Sequence, residues 1–90
     1  MSKAEKMFNE LGFVKIRNDR VFLEYEKNEW RRADNFADNF IERVVIDKEE
    51  KEYWLSYFIN GDSSERSLIV GISLHQAITQ QMKELGWIDE

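Results

Sequence analysis

Carboxylates are the only abundant catalytic residue type in this sequence. Asp47, Glu49, Glu50 and Glu52 crowd around one turn signal, and oxygen donors of this kind suit a hard cation. Their spacing matches no calcium loop, since the turn lacks a glycine and Lys48 and Lys51 stand between the acids. A solvated hairpin tip that keeps a sheet edge soluble explains them better. Asp34 and Asp38, four apart, would share a face if their stretch were helical and could then hold a metal, but an ordinary polar loop explains them better, as the solvated tip does for the first group. Neither group has a histidine partner. His75, the sole imidazole, falls in the first turn of a predicted helix. The helix dipole opposes positive charge there, so a neutral ring toward solvent or the rim of the apolar stripe is expected, not an acid near pH 7. No Gly-x-Ser-x-Gly occurs, Ser73 is better explained as a helix cap, and glycines at 12, 61, 71 and 86 build no phosphate-cradling loop. The absence of cysteine excludes thiolate zinc sites, iron–sulfur clusters, disulfides and a cysteine nucleophile. The expectation is a protein without catalytic residues, metal or cofactor, and so not an enzyme.

What is left for function is aromatic and basic. Glu29 is followed by Trp30, Arg31 and Arg32, and Trp and Arg are the residue types enriched at the energetic centres of protein interfaces. They also stack on bases. Trp30, Arg31 and Arg32 are therefore the candidate partner-binding residues, against the plainer alternative that Trp30 plugs the edge of the core. Tyr53, Trp54, Tyr57 and Phe58 either form core or present an aromatic sheet face to a partner or to a second copy.

Charge narrows the partner. Of the 90 residues, 13 are Lys or Arg and 18 are Asp or Glu, a net charge of −5. Residues 1–33 carry eight basic and six acidic groups, residues 34–66 carry four and nine, and residues 67–90 carry one and three. An acidic second half argues against wrapping a nucleic-acid backbone, which needs clustered cations. No apolar run approaches the ~20 residues of a membrane span, and no signal-peptide apolar region follows Met1. Hydrophobic residues make up 42% and aromatic ones 13%, enough apolar surface to fold. One domain spanning residues 1–90, soluble and cytosolic, is expected.

The elements that would position these residues start and stop with local signals. Ser2 and Glu5 form a capping box, and Ala4, Met7, Phe8 and Leu11 make an apolar stripe. Gly12 suits the left-handed residue after a helix, and Phe13 can fold back on Phe8. Ser73 and Gln76 predict the same box at the other end. There Leu74, Ala77, Ile78, Met82 and Leu85 form the stripe, Gly86 the stop and Trp87 the aromatic that packs on Met82. Between these helices the period is that of strands. Residues 13–17 and 21–26 flank Asn18-Asp19, a two-residue turn of left-handed tolerance, and residues 40–47 and 51–60 flank Lys48-Glu49-Glu50. In the last of these runs Tyr53, Leu55, Tyr57 and Ile59 share one face, and Trp54, Ser56 and Phe58 the other. Aromatics on both faces predict a central strand, or one covered by a partner. Residues 68–72 read as a fifth strand. Residues 27–39 read as a long loop with one helical turn at most, since Asn28, Asn35 and Asn39 are poor helix formers. The predicted fold is α+β: an antiparallel meander of about five strands with the N- and C-terminal helices packed on one face.

The opening Met1-Ser2-Lys3-Ala4-Glu5-Lys6-Met7-Phe8-Asn9-Glu10-Leu11-Gly12-Phe13 resembles the start of small uncharacterised phage and prophage proteins of low-GC Gram-positive bacteria. The close is similar to their ending: Ile72-Ser73-Leu74-His75-Gln76-Ala77-Ile78, then Gln81-Met82-Lys83-Glu84-Leu85-Gly86-Trp87. The acidic Ile46-Asp47-Lys48-Glu49-Glu50-Lys51 is like their middle. The resemblance implies an origin in a mobile element and a site of action in the host cytosol. It transfers no activity and no functional residue. The expected function is that of a non-enzymatic phage or prophage accessory protein acting on a protein partner or by self-association. The alternative is an acidic nucleic-acid mimic that inhibits a host DNA-binding enzyme.

Overall fold

A computed structural model describes residues 2–33, 36–59 and 70–88, with only the backbone of 30–33, 36–38 and 59. The order is α1 (Lys3–Glu10), β1 (Val14–Asn18), β2 (Phe22–Ala33), β3 (Phe36–Asp47), β4 (Glu52–Ile59) and α2 (Ile72–Glu84). The four strands pair antiparallel in sequence order, β1-β2-β3-β4. The chain is thus the expected α+β meander with a helix at either end, but with four strands among the described residues, not five. Of the predicted fifth strand, Leu68 and Ile69 lie outside those residues, Val70 and Gly71 are irregular, and Ile72 opens α2.

Local chemistry makes the helix ends. Ser2 caps α1, its Oγ accepting from the Glu5 N–H at 3.1 Å. Gly12 has φ +92° and Gly86 φ +79°. Each ends its helix in the same double bond: Gly12 N–H donates to Asn9 and Phe13 N–H to Phe8, as Gly86 N–H does to Lys83 and Trp87 N–H to Met82. Phe13 returns edge-on to Phe8, with ring centroids 5.9 Å apart. One expectation fails. The N-cap of α2 is Gly71, without a side-chain bond, and Ser73 is already helical. Starting two residues earlier puts the exposed Ile72 in the helix while Leu74, Ala77 and Ile78 still face the core.

Of the stretch expected to be a loop, 27–33 and 36–39 are strand. β2 and β3 each run for 12 residues and pair from Phe22↔Asp47 to Ala33↔Phe36. Cross-strand pairing overrides the weak local propensity of Asn28 and Asn39, whose side-chain amides bond to each other across the ladder. The β1–β2 turn also differs from expectation. It spans three residues, and neither Asn18 nor Asp19 is left-handed. Asp19 holds it instead, Oδ1 accepting from the N–H groups of Val21 at 2.9 Å and Phe22 at 2.8 Å. At the next turn Asp47 Oδ1 accepts from Glu49 and Glu50, both at 3.0 Å, and Lys51 takes φ 56°.

The core lies between the helices and one face of the proximal sheet. Phe8, Phe13, Leu23, Tyr25, Val44, Ile46, Leu74, Ala77 and Ile78 are buried there together. Phe8 stacks on Tyr25 at 3.9 Å between centroids. The stretched extents, 48 × 23 × 21 Å, follow from lengths. Twelve strand residues reach ~40 Å, whereas the 13 residues of α2 reach ~20 Å. The β2–β3 hairpin therefore outruns the helices. Lys27, packed beside Gly12, marks where the helix layer ends.

Candidate functional site

Trp30, Arg31 and Arg32 occupy the distal part of β2, in register with Asn39, Asp38 and Ala37. Their side chains lie outside the described atoms, as do Asp34 and the side chain of Asp38. What changes from the sequence expectation is the element. The three residues belong to a paired strand beyond the helix layer, not to a loop.

The second aromatic group is divided between the two sheet faces as its alternation predicts. Tyr53 and Leu55 pair with Ile46 and Val44 on the helix-covered side, while Trp54 and Ser56 pair with Val45 and Arg43. Among the described residues no helix lies on that opposite face. It is a set of aromatics bracketed by cations. Phe22 and Trp54 meet edge-on across β3, with centroids 6.3 Å apart. The Arg17 guanidinium sits 4.7 Å above the Phe22 ring, and that of Arg43 sits 5.8 Å from Phe58. Both arginines are ion-paired, Arg17 to Glu24 at 3.2 Å and Arg43 to Glu26 at 2.7 Å. Arg43 Nε is buried without a hydrogen-bond partner. Bracketed aromatics of this kind are amphipathic contact surface. A central place for β4, one of the two expectations for this strand, is not seen among the described residues. Among the described residues it has one neighbour, β3, and stands at the sheet edge.

The titratable groups serve the fold. Asp19 is held down to about 2 by the Phe22 N–H, the Arg17 guanidinium at 2.7 Å and the Val21 N–H. Burial raises the Tyr25 phenol well above its usual value, and the charges of Glu5 and Glu84 add to this. Burial pushes the Glu84 carboxyl up, but hydrogen bonds from Gln80, the Ala4 N–H and Ser2, with Lys3 nearby, outweigh it and leave the group lowered. His75 is exposed, on the rim of an open groove of about 400 Å³ between the helices that Lys3, Met7, Ile72 and Lys83 also line. Glu49, Glu50 and Glu52 are exposed around their turn while the half-buried Asp47 binds its backbone, and among the described residues no three His, Asp or Glu side chains gather in a metal-holding group.

One polar residue escaped the sequence reading. Gln81 is buried, its Oε1 accepting from the Tyr25 hydroxyl at 2.7 Å. The spacing 74, 77, 78, 81 and 85 places it on the apolar stripe, and its polarity was the reason to pass over it. Protein-family models, curated proteins and solved structures offer no match to this chain.

Proposed function

We propose that this chain is a non-enzymatic binding module of phage or prophage type that acts in the host cytosol through protein–protein contact, with Trp30, Arg31 and Arg32 in the contact surface. The phage assignment rests on the resemblance of the two ends. The observation that carries the binding role is the projecting hairpin. It holds a tryptophan and two arginines beyond the helix layer, on a paired scaffold that costs little ordering entropy when a partner docks. The bracketed aromatics Phe22, Trp54 and Phe58 extend amphipathic surface along the same sheet. Mimicry of nucleic acid, which the acidic stretch 34–66 would serve, has less support, because a net charge of −5 is modest for a mimic.

The test is Trp30→Ala, followed by the triple alanine variant of Trp30, Arg31 and Arg32. A contact residue leaves the melting temperature nearly unchanged and weakens binding by ~2 kcal/mol or more. A core plug costs ~3–5 kcal/mol of stability instead, and a large fall in melting temperature ends the contact-site assignment. A salt series on the captured complex separates the two partner classes, since mimicry weakens steeply with ionic strength and apolar contact does not.

A further inference from the structure

α2 has a second stripe beside the one that meets the core. Ile72, His75, Gln76, Thr79, Gln80 and Lys83 recur at helical spacing, and with Lys3 and Met7 of α1 they line the open groove between the helices. Lys3, His75 and Gln76 are exposed. At the start of α2, Val70 is 41% exposed and Ile72 70%. A side chain as far out of the core as Ile72 contributes little burial to the fold.

The charge of the groove is one-sided. Two ammonium groups and an imidazole line it, and among the described residues that line it there is no carboxylate, in a chain whose net charge is −5. Glu84 borders it through Gln80, but its Oε2 is occupied by the Ala4 N–H at 2.8 Å and by Gln80 Nε2 at 3.1 Å. The side chains of Lys83 and His75 have no hydrogen bond or ion pair among the described residues. An anionic occupant is the complement of such a groove.

The order of the groups along the groove selects among anions. Ile72 stands at one end and Lys83 at the other, ~17 Å away along α2, and the Ala4–Glu84 bond brings Lys3 to the Lys83 end. A phosphate backbone needs cations along its whole length, whereas here the ammonium groups share one end. An alkyl chain lying between the ends would strand the amides of Gln76 and Gln80 and the Thr79 hydroxyl. A helix laid between two helices fits both: apolar anchors at one end, acids at the other and polar side chains between.

We infer that the α1–α2 groove docks an acidic amphipathic helix of a partner protein, about three turns long, with apolar side chains against Met7 and Ile72 and carboxylates against Lys3 and Lys83. This shares with the reading of the hairpin only that the partner is protein. It lies on a different surface, so either can fail alone.

A displayed library of helical peptides selected on the intact chain tests the chemistry of the occupant. The enriched sequences should be net acidic, with apolar residues three and four apart. A synthetic peptide of the winning sequence should move the amide NMR signals of residues 3–7 and 72–83 of the labelled protein. Ile72→Ser and Lys83→Glu should each weaken it roughly tenfold or more at an unchanged melting temperature, and Trp30→Ala should leave it as tight as wild type. The inference is overturned if no sequence is enriched, if the enriched ones are basic or uncharged, or if the shifted signals lie on the sheet. Affinity that survives both Ile72→Ser and Lys83→Glu overturns it as well.

Discussion

The buried bond between Tyr25 and Gln81 sets a measurable stability. The hydroxyl donates to Gln81 Oε1 at 2.7 Å, and the two residues are 1% and 6% exposed. Tyr25→Phe keeps the ring that stacks on Phe8 and removes only the donor. The cost is the bond, ~1 kcal/mol, plus stranding an amide oxygen away from water, so ~1–3 kcal/mol in all. For a domain of this length that lowers the melting temperature by roughly 5–20 °C. Urea denaturation at pH 7 reads it as a lower midpoint at unchanged slope. Adding Gln81→Leu removes the stranded acceptor, so the double variant should recover much of the loss, with a coupling of ~1 kcal/mol against the sum of the single changes. The same hydroxyl shapes the alkaline limb. Burial and the nearby carboxylates place its folded pKa above the usual 10.0. Its contribution is complete below that value and is lost as pH rises past it. Tyr25→Phe should flatten that part of the pH profile. A midpoint within ~0.5 kcal/mol of wild type, or strict additivity in the double variant, would refute the reasoning.

Three further outcomes are expected. Gly86→Val should lower the denaturation midpoint by ~1–2 kcal/mol: φ is +79° and an added Cβ meets nothing within 4 Å, so the cost is purely backbone. An unchanged midpoint would show that α2 does not end there. Lys51→Gly should raise stability by ~0.5–1 kcal/mol by relieving φ 56°, read in the same titration. Asp19 titrates at about 2 when folded against an ordinary 3.8, so its contribution holds above that ordinary value and is lost as pH falls through 2. Acid unfolding of Asp19→Asn, followed by circular dichroism, should lack that step.

Both helices were legible because their signals are local. Ser2, Gly12 and Gly86 act on backbone groups a few residues away, and the stripes of Phe8 and Ile78 repeat within a few turns. The distal hairpin was not legible for the opposite reason. Asn28 to Ala33 are held in β2 by partners on β3, and no short window contains both halves of a ladder. Its Asn and Ala residues read as loop or helix when taken alone. Gly71 as N-cap was hidden by Ser73, a better cap two residues on, because the start of α2 answers to how Leu74 and Ile78 meet the sheet. The candidate contact residues were visible as types, Trp30 with Arg31 and Arg32, but nothing nearby announced the arm that carries them. That β4 has a single neighbour among the described strands was invisible, since aromatics on both faces of a strand are the mark of a middle.

The first turn of α1 has a consequence for how the molecule is made. The Ala4 N–H donates to Glu84 Oε2 at 2.8 Å, so a carboxylate 80 residues downstream completes the start of the first helix. The meander between them can zip up from neighbour to neighbour. The helix pair cannot, because it must close the longest loop in the chain. Synthesis delivers Phe8 and its stripe about 65 residues or more before Leu74, Ala77 and Ile78. A nascent chain therefore carries an amphipathic helix whose apolar side has no α2 to lie against until the residues of α2 have emerged. That interval is when a chaperone, or another nascent copy, finds this sequence most accessible.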